Sequence, residues 1–112
     1  MVLVHHHGRT SGCDYVNPMM YLPDDNDADT ISVFATNGGA PTNPDWYYNL
    51  IAAGEGTVER GTDTYPVTVR ELTGKERDRI YDEQTRRHPG FAVYARQTAG
   101  VRTIPVLALR RS

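Results

Sequence analysis

The stretch SVFATNGGAPTNPDWYYNL, Ser32 to Leu50, decides how this chain is read. Alternating residues run straight into Asn37-Gly38-Gly39, and then into Asn43-Pro44-Asp45 followed by Trp46, Tyr47 and Tyr48. The first part belongs to a strand, Thr30 to Thr36, in which Ile31, Val33 and Ala35 alternate with Ser32, Phe34 and Thr36. In the second part Asn43 is a good helix N-cap, Pro44 is pre-set for the first helical position, and Asp45 suits the positive end of the helix dipole. Trp46, Leu50 and Ala53 share a face of that helix, and Gly54 closes it. Between the two, a glycine pair lets the backbone approach a planar ring or a phosphate without an intervening Cβ. Main-chain amides in this loop and at the helix start suit an anionic group. The same residues also describe a plain glycine turn before a capped helix whose tryptophan is core, because one glycine pair is a weak motif.

Outward from this centre, Val2-Leu3-Val4 begins a strand that runs into His5, His6 and His7, and Gly8 to Gly12 form a glycine-bounded turn. Tyr15 to Leu22 reads as one strand, with Val16, Pro18, Met20 and Leu22 on one side; Pro18 inside it requires an edge or a bulge. Asp24 to Asp29 is a solvated hairpin tip that lacks the glycine and distal glutamate of a calcium loop. Thr57 to Arg60 and Thr64 to Glu71 form a hairpin around Gly61. Thr73-x-x-Glu76 is a capping box that opens a charged helix to about Arg86, whose apolar stripe is Ile80 and Tyr81. His88-Pro89-Gly90 ends that helix, Phe91 to Thr98 forms another, and Thr103 to Leu109 is the last strand. About six strands clustered at the two chain ends, with three short helices, argue against a doubly wound parallel sheet and for a mainly β, largely antiparallel barrel.

The 112 residues make one domain, 1–112. A formal charge of −2 and no basic stripe give no case for nucleic acid. No apolar run approaches the ~18 residues of a membrane span, and "MVLV" is not a secretory leader, so a cytoplasmic protein without a transmembrane anchor is expected. The single cysteine, Cys13, fits a reducing compartment and reads as a bystander thiol. All twelve basic residues except Lys75 are arginine, and only Arg9 precedes Arg60.

Four pieces in order carry a resemblance: HHHGRTSG, VNPMMYL, ATNGGAPTNPDWYYNL and HPGFAVYARQTAGVRTIPVLAL. Together they resemble the deazaflavin-dependent nitroreductase family of actinobacteria, built on the flavin-binding split β-barrel, from Val2 to Leu109. The helical segment that usually precedes the family's first strand is absent from this sequence. The resemblance implies an oxidoreductase that binds reduced coenzyme F(420), a deazaflavin, and passes hydride to a planar, quinone-like or nitroaromatic acceptor. The ordinary flavin FMN is the second choice of cofactor. The alternative is a non-catalytic module that holds a flavin-like or other planar ligand on the same barrel. A monomer or homodimer is expected, with quinone chemistry implying a place at the membrane periphery.

Carried over position by position, Gly8, Arg9, Thr10 and Ser11 fall in the turn that meets the coenzyme's phosphate and acidic tail. Asn17, Pro18 and Met19 match the stretch lining the ring, Ala35 and Thr36 the small pair beside it, and Asn37, Gly38 and Gly39 the loop, with Trp46 beneath it. His88, Phe91 and Tyr94 occupy the substrate side, where relatives carry aromatic residues. Thr10, Tyr15 and Asn37 stand where relatives commonly have lysine, arginine and lysine. Each charge-assisted contact contributes roughly 1.5–3 kcal/mol, so three absent cations weaken binding by several kcal/mol unless other donors compensate. His88 reads equally as a cap of the preceding helix or as a proton donor. Relatives have threonines at the three histidines. A strand puts His5 and His7 on one face, from which they offer hydrogen bonds and partial charge near the phosphate. No second His or Cys pair stands at ligand spacing, so no metal is expected.

Overall fold

A computed structural model describes all 112 residues. Seven strands form one sheet: β1 (Val2–His7), β2 (Asp14–Met19), β3 (Tyr21–Pro23), β4 (Thr30–Phe34), β5 (Glu55–Arg60), β6 (Asp63–Leu72) and β7 (Val106–Arg111). Three helices, α1 (Asp45–Ala53), α2 (Gly74–Arg87) and α3 (Gly90–Thr98), complete it, with a single 3-10 turn at Asn37–Gly39. The order across the sheet is β2-β1-β5-β6-β7-β4-β3, and every pairing is antiparallel.

The expected Tyr15–Leu22 strand is two strands, which makes seven where six were expected. Val2 pairs with Met19, whereas Tyr21 pairs with Val33, so the chain leaves one edge of the curled sheet and joins the other across Met20. Pro18 is tolerated because β2 is an edge strand, where a missing ladder donor faces outward. The side-chain alternation slips at the crossing: Met19 and Leu22 are buried, while Val16 and Met20 are exposed.

Two apolar clusters share the sheet. One lies inside the curl, where Val4, Val33, Val58, Leu107 and Leu109 meet Leu50 of α1. The other packs Phe34, Leu72, Val106 and Ala108 against Ile80 and Tyr81 of α2 and Phe91 of α3. Strand β4 is therefore buried throughout, and β7 is buried from Val106 to Leu109. Strands covered on both faces read as continuous apolar runs.

Two capping expectations shift. Pro44, not Asn43, occupies the cap position of α1, with extended backbone and no side-chain cap bond. Thr73 caps α2 by position alone, and Glu76 turns instead to Arg70, accepting hydrogen bonds at 2.9 and 3.3 Å. Gly54 does end α1, with φ of 71° and its N–H donating to the Leu50 carbonyl. Ala53, expected inward, is exposed; Trp46, Asn49 and Leu50 carry the inner face.

Candidate active site

Two abutting cavities open where the His7 end of β1, the start of α1, the 3-10 turn and α3 converge. One, of about 700 Å³, is polar: Gly8, Arg9, Thr10 and Ser11 of the β1–β2 turn line it with Tyr15 and Asn17, facing Asn43 to Trp46 and Asn49 of α1. The other, of about 290 Å³, is walled by Pro18, Met19, Met20, Phe34, Phe91 and Tyr94, with Thr36 and Gly38 along the loop side. Asn37 and Trp46 line both. Volumes of roughly 300–1,000 Å³ are those of small-molecule and cofactor pockets.

Three sequence expectations lie elsewhere. Ala35 is fully buried, its N–H donating to Pro105 and its carbonyl accepting from Arg102. Gly39 lines neither cavity and lies against Gln97 of α3, whose Oε1 an added Cβ would strike. His88 is exposed, with its ring 6.4 Å from Phe91, and its N–H donates to the Gln84 carbonyl at the end of α2. It lines neither cavity, so the cap reading describes its place and the proton-donor reading has no geometry behind it.

The histidines face opposite to expectation. Because Val2 and Val4 point into the core, so does His6, and His5 and His7 point out to Glu59 and Asp14. His6 belongs to a chain of hydrogen bonds whose direction is fixed. Asn49 Oδ1 accepts from the backbone N–H of Arg9 at 3.0 Å and from its Nη1 at 3.1 Å. The Asn49 amide nitrogen must then donate to His6 Nδ1, 3.1 Å away. That leaves the imidazole proton on Nε2, which donates to Asn17 Oδ1 at 2.6 Å. Accepting at Nδ1 and donating at Nε2, His6 orients Asn17 and, through Asn49, Arg9. Arg9 also lies over the Tyr48 ring at 4.9 Å, and its Nη2 stands 4.0 Å from Asp45.

The residue that sequence reading missed altogether is Arg102, which precedes β7. Its guanidinium donates to the carbonyls of Ala35, Thr36 and Ala40 and to Asn43 Oδ1, at 2.8–3.1 Å. It therefore clamps both ends of the Asn37–Gly39 turn and explains why Asn43 does not cap α1. Within the turn the Gly39 and Ala40 amides donate to Thr36 and Asn37, so these two are not free for an anion. The turn is left-handed at Asn37, Gly38 and Gly39, with φ of 48°, 64° and 83°.

The sequence model of the F420H(2)-dependent quinone reductase family matches residues 1–111. The chain belongs to that family. A Mycobacterium tuberculosis protein, Rv3178, provisionally named an F420H(2)-dependent quinone reductase, is 31% identical over 109 residues, covering 97% of this chain and 87% of its own. A solved F420-H2 dependent reductase, FDR-A, superposes with a TM-score of 0.84 at 31% identity, over 97% of this chain and 92% of that one. A second solved relative with the same TM-score and identity, described as a domain-swapped dimer, is covered over 78% of its length and 97% of this chain. HutZ of Vibrio cholerae, at 8% identity and a TM-score of 0.68, shares the fold alone.

Membership makes the chain a deazaflavin-dependent oxidoreductase of the quinone reductase type. The residues present fit that coenzyme. An added Cβ at Gly38 would meet nothing within 4 Å, so the backbone there leaves room for a ring against Trp46 and Met19. The polar cavity presents Arg9, hydroxyls and amides, which are donors of the kind a phosphate-bearing chain needs. No helix is long and apolar enough to cross a membrane.

Proposed function

We propose that this quinone reductase binds its deazaflavin with the ring in the apolar cavity and the ribityl phosphate in the polar one, and reduces a quinone-like or nitroaromatic acceptor held against α3. What carries this reading is a pair of adjoining cavities that share Asn37 and Trp46, one lined almost wholly by polar residues and the other mostly by hydrophobic side chains. A planar apolar ring joined to a polar chain needs that arrangement. When bound, the coenzyme supplies the hydride.

The protein's share is positioning and exclusion of water. Pro18, Met19 and Trp46 bound the ring side, while Phe91 and Tyr94, packed edge to face at 5.6 Å, bound the acceptor side. Reduction of a quinone to a hydroquinone takes one hydride and one proton. Tyr94 carries the one ionisable side chain lining the apolar cavity, so its Oη is the group to hand a proton to the reduced oxygen and recover one from solvent. Arg9, oriented by Asn49 and His6, binds the phosphate as a charge-assisted donor. Anaerobic mixing of reduced deazaflavin with a quinone and purified protein tests the reading: turnover supports it, and binding without turnover sinks it.

A second reading, a non-catalytic carrier of a planar ligand, draws on the thin charge of the polar cavity, where Arg9 is the one guanidinium. FMN, with a ring of the same shape, is its natural ligand. Parallel titrations with coenzyme F(420) and FMN separate the two.

A further inference from the structure

We infer that the polar cavity recognises the coenzyme through one anionic group, its phosphate, and does not read its acidic glutamate tail. This inference rests on the deazaflavin reading above. The side chains lining the cavity include one permanent cation, Arg9, and one carboxylate, Asp45, so their formal charges cancel. His6 adds none, because its Nδ1 accepts from Asn49 and its Nε2 donates to Asn17. Arg102, the other nearby guanidinium, makes four hydrogen bonds, to Ala35, Thr36, Ala40 and Asn43, and does not line the cavity. On the outer face of β1, His5 and His7 are paired with Glu59 and Asp14. Nothing cationic is left over for a second or third carboxylate.

What remains is neutral hydrogen-bonding surface: Thr10, Ser11, Asn17, Asn37 and Thr42. Such groups suit the hydroxyls of a ribityl chain. The single cation is correspondingly well prepared. Two hydrogen bonds to Asn49 and the face of Tyr48 restrain Arg9, leaving its Nε and Nη2 hydrogens for one phosphate. Asp45, almost fully exposed and 4.0 Å from Nη2, opposes any further negative charge brought beside Arg9. Screening over ~8 Å at physiological salt removes help from more distant arginines.

The test is a fluorescence titration of the intact protein with three ligands: the coenzyme with its full oligoglutamate tail, the same molecule with the glutamates removed, and ribityl deazaflavin without phosphate. The first two are expected to bind within about threefold of each other, and the third roughly tenfold or more weaker, the effect of one lost charge-assisted contact. In Thr10→Lys, an exposed substitution whose folding is checked by its unfolding midpoint, the tailed form becomes preferred by roughly tenfold. A wild-type preference of tenfold or more for the tailed form overturns the inference, as does a Thr10→Lys variant that gains no such preference. If none of the three binds, the deazaflavin reading itself falls with it; tail-dependent binding sinks the inference alone.

Discussion

Asn49, near the middle of α1, holds Arg9 twice, through the backbone N–H and through the guanidinium, while its amide nitrogen is held by His6. A buried side chain on a helix thereby sets the direction of a cation on a turn 40 residues earlier. Asn49→Leu is expected to destabilise the fold by roughly 1–3 kcal/mol, since it leaves His6 Nδ1 and the Arg9 amide unpaired. It is also expected to weaken coenzyme binding about tenfold. Urea denaturation and titration check the two effects separately.

The outward pair and the inward histidine separate cleanly. His5→Thr with His7→Thr is expected to leave coenzyme affinity within about threefold and to shift stability little, because exposed ion pairs contribute roughly 0–1 kcal/mol. His6→Thr alone is expected to weaken binding, by releasing Asn17 and Asn49. Calorimetric titration of the three proteins would show the reverse order if the facing were wrong.

Arg102→Lys keeps the charge but loses the planar fork that reaches three carbonyls and Asn43. A stability loss of roughly 2–3 kcal/mol is expected, with weaker coenzyme binding because the Asn37–Gly39 turn is no longer tied at both ends. Unfolding midpoints and ring-quenching titrations measure both.

The glycine pair divides by environment. Gly38→Ala meets open space and carries only the left-handed backbone penalty, roughly 1–2 kcal/mol. Gly39→Ala carries the same penalty and must also displace Gln97, loosening α3 from the loop. It is expected to be the less stable variant in denaturant melts, and Gln97→Ala is expected to narrow the difference.

Tyr47 donates its hydroxyl to both carboxylate oxygens of Glu71 at 3.0 Å. Burial first, and then Glu71, push its pKa from 10.0 up to about 12. The folded state therefore holds this proton more tightly than the unfolded chain. Its stabilising contribution is full below pH 10 and is lost as pH rises toward 12. Burial raises Tyr81 in the same sense. Melts across this alkaline range are expected to fall less steeply for Tyr47→Phe than for the wild type. Glu76 has the opposite sign: hydrogen bonds from Arg70 lower its pKa below 4.5, so its contribution is present above that value and lost as pH falls below it.

Local chemistry made much of this readable. The Gly61 hairpin, the Gly54 stop, the Pro18 edge and the turn after the histidines each depend on residues a few positions apart. The features that escaped depend on distant partners. Asn43 looks like a cap until Arg102, 59 residues later, takes its oxygen. The ladder slip at Met20 is invisible locally, because it arises where two far strands compete for one segment. The phase of the histidines was legible in Val2 and Val4, whose burial fixes His6 inward. For the site, neighbouring motif positions do not say which ones face a cavity; Ala35, Gly39 and His88 share their motifs but not the lining.

The passage of the chain through Met20 ties the smaller cavity to the architecture. Pro18 and Met19 wall the apolar cavity on the same peptide segment that stitches the two rims of the sheet together. That wall is inelastic, since reshaping it unzips the seam. The opposite wall is built differently, because Phe91 and Tyr94 ride on a short helix that belongs to neither rim of the sheet.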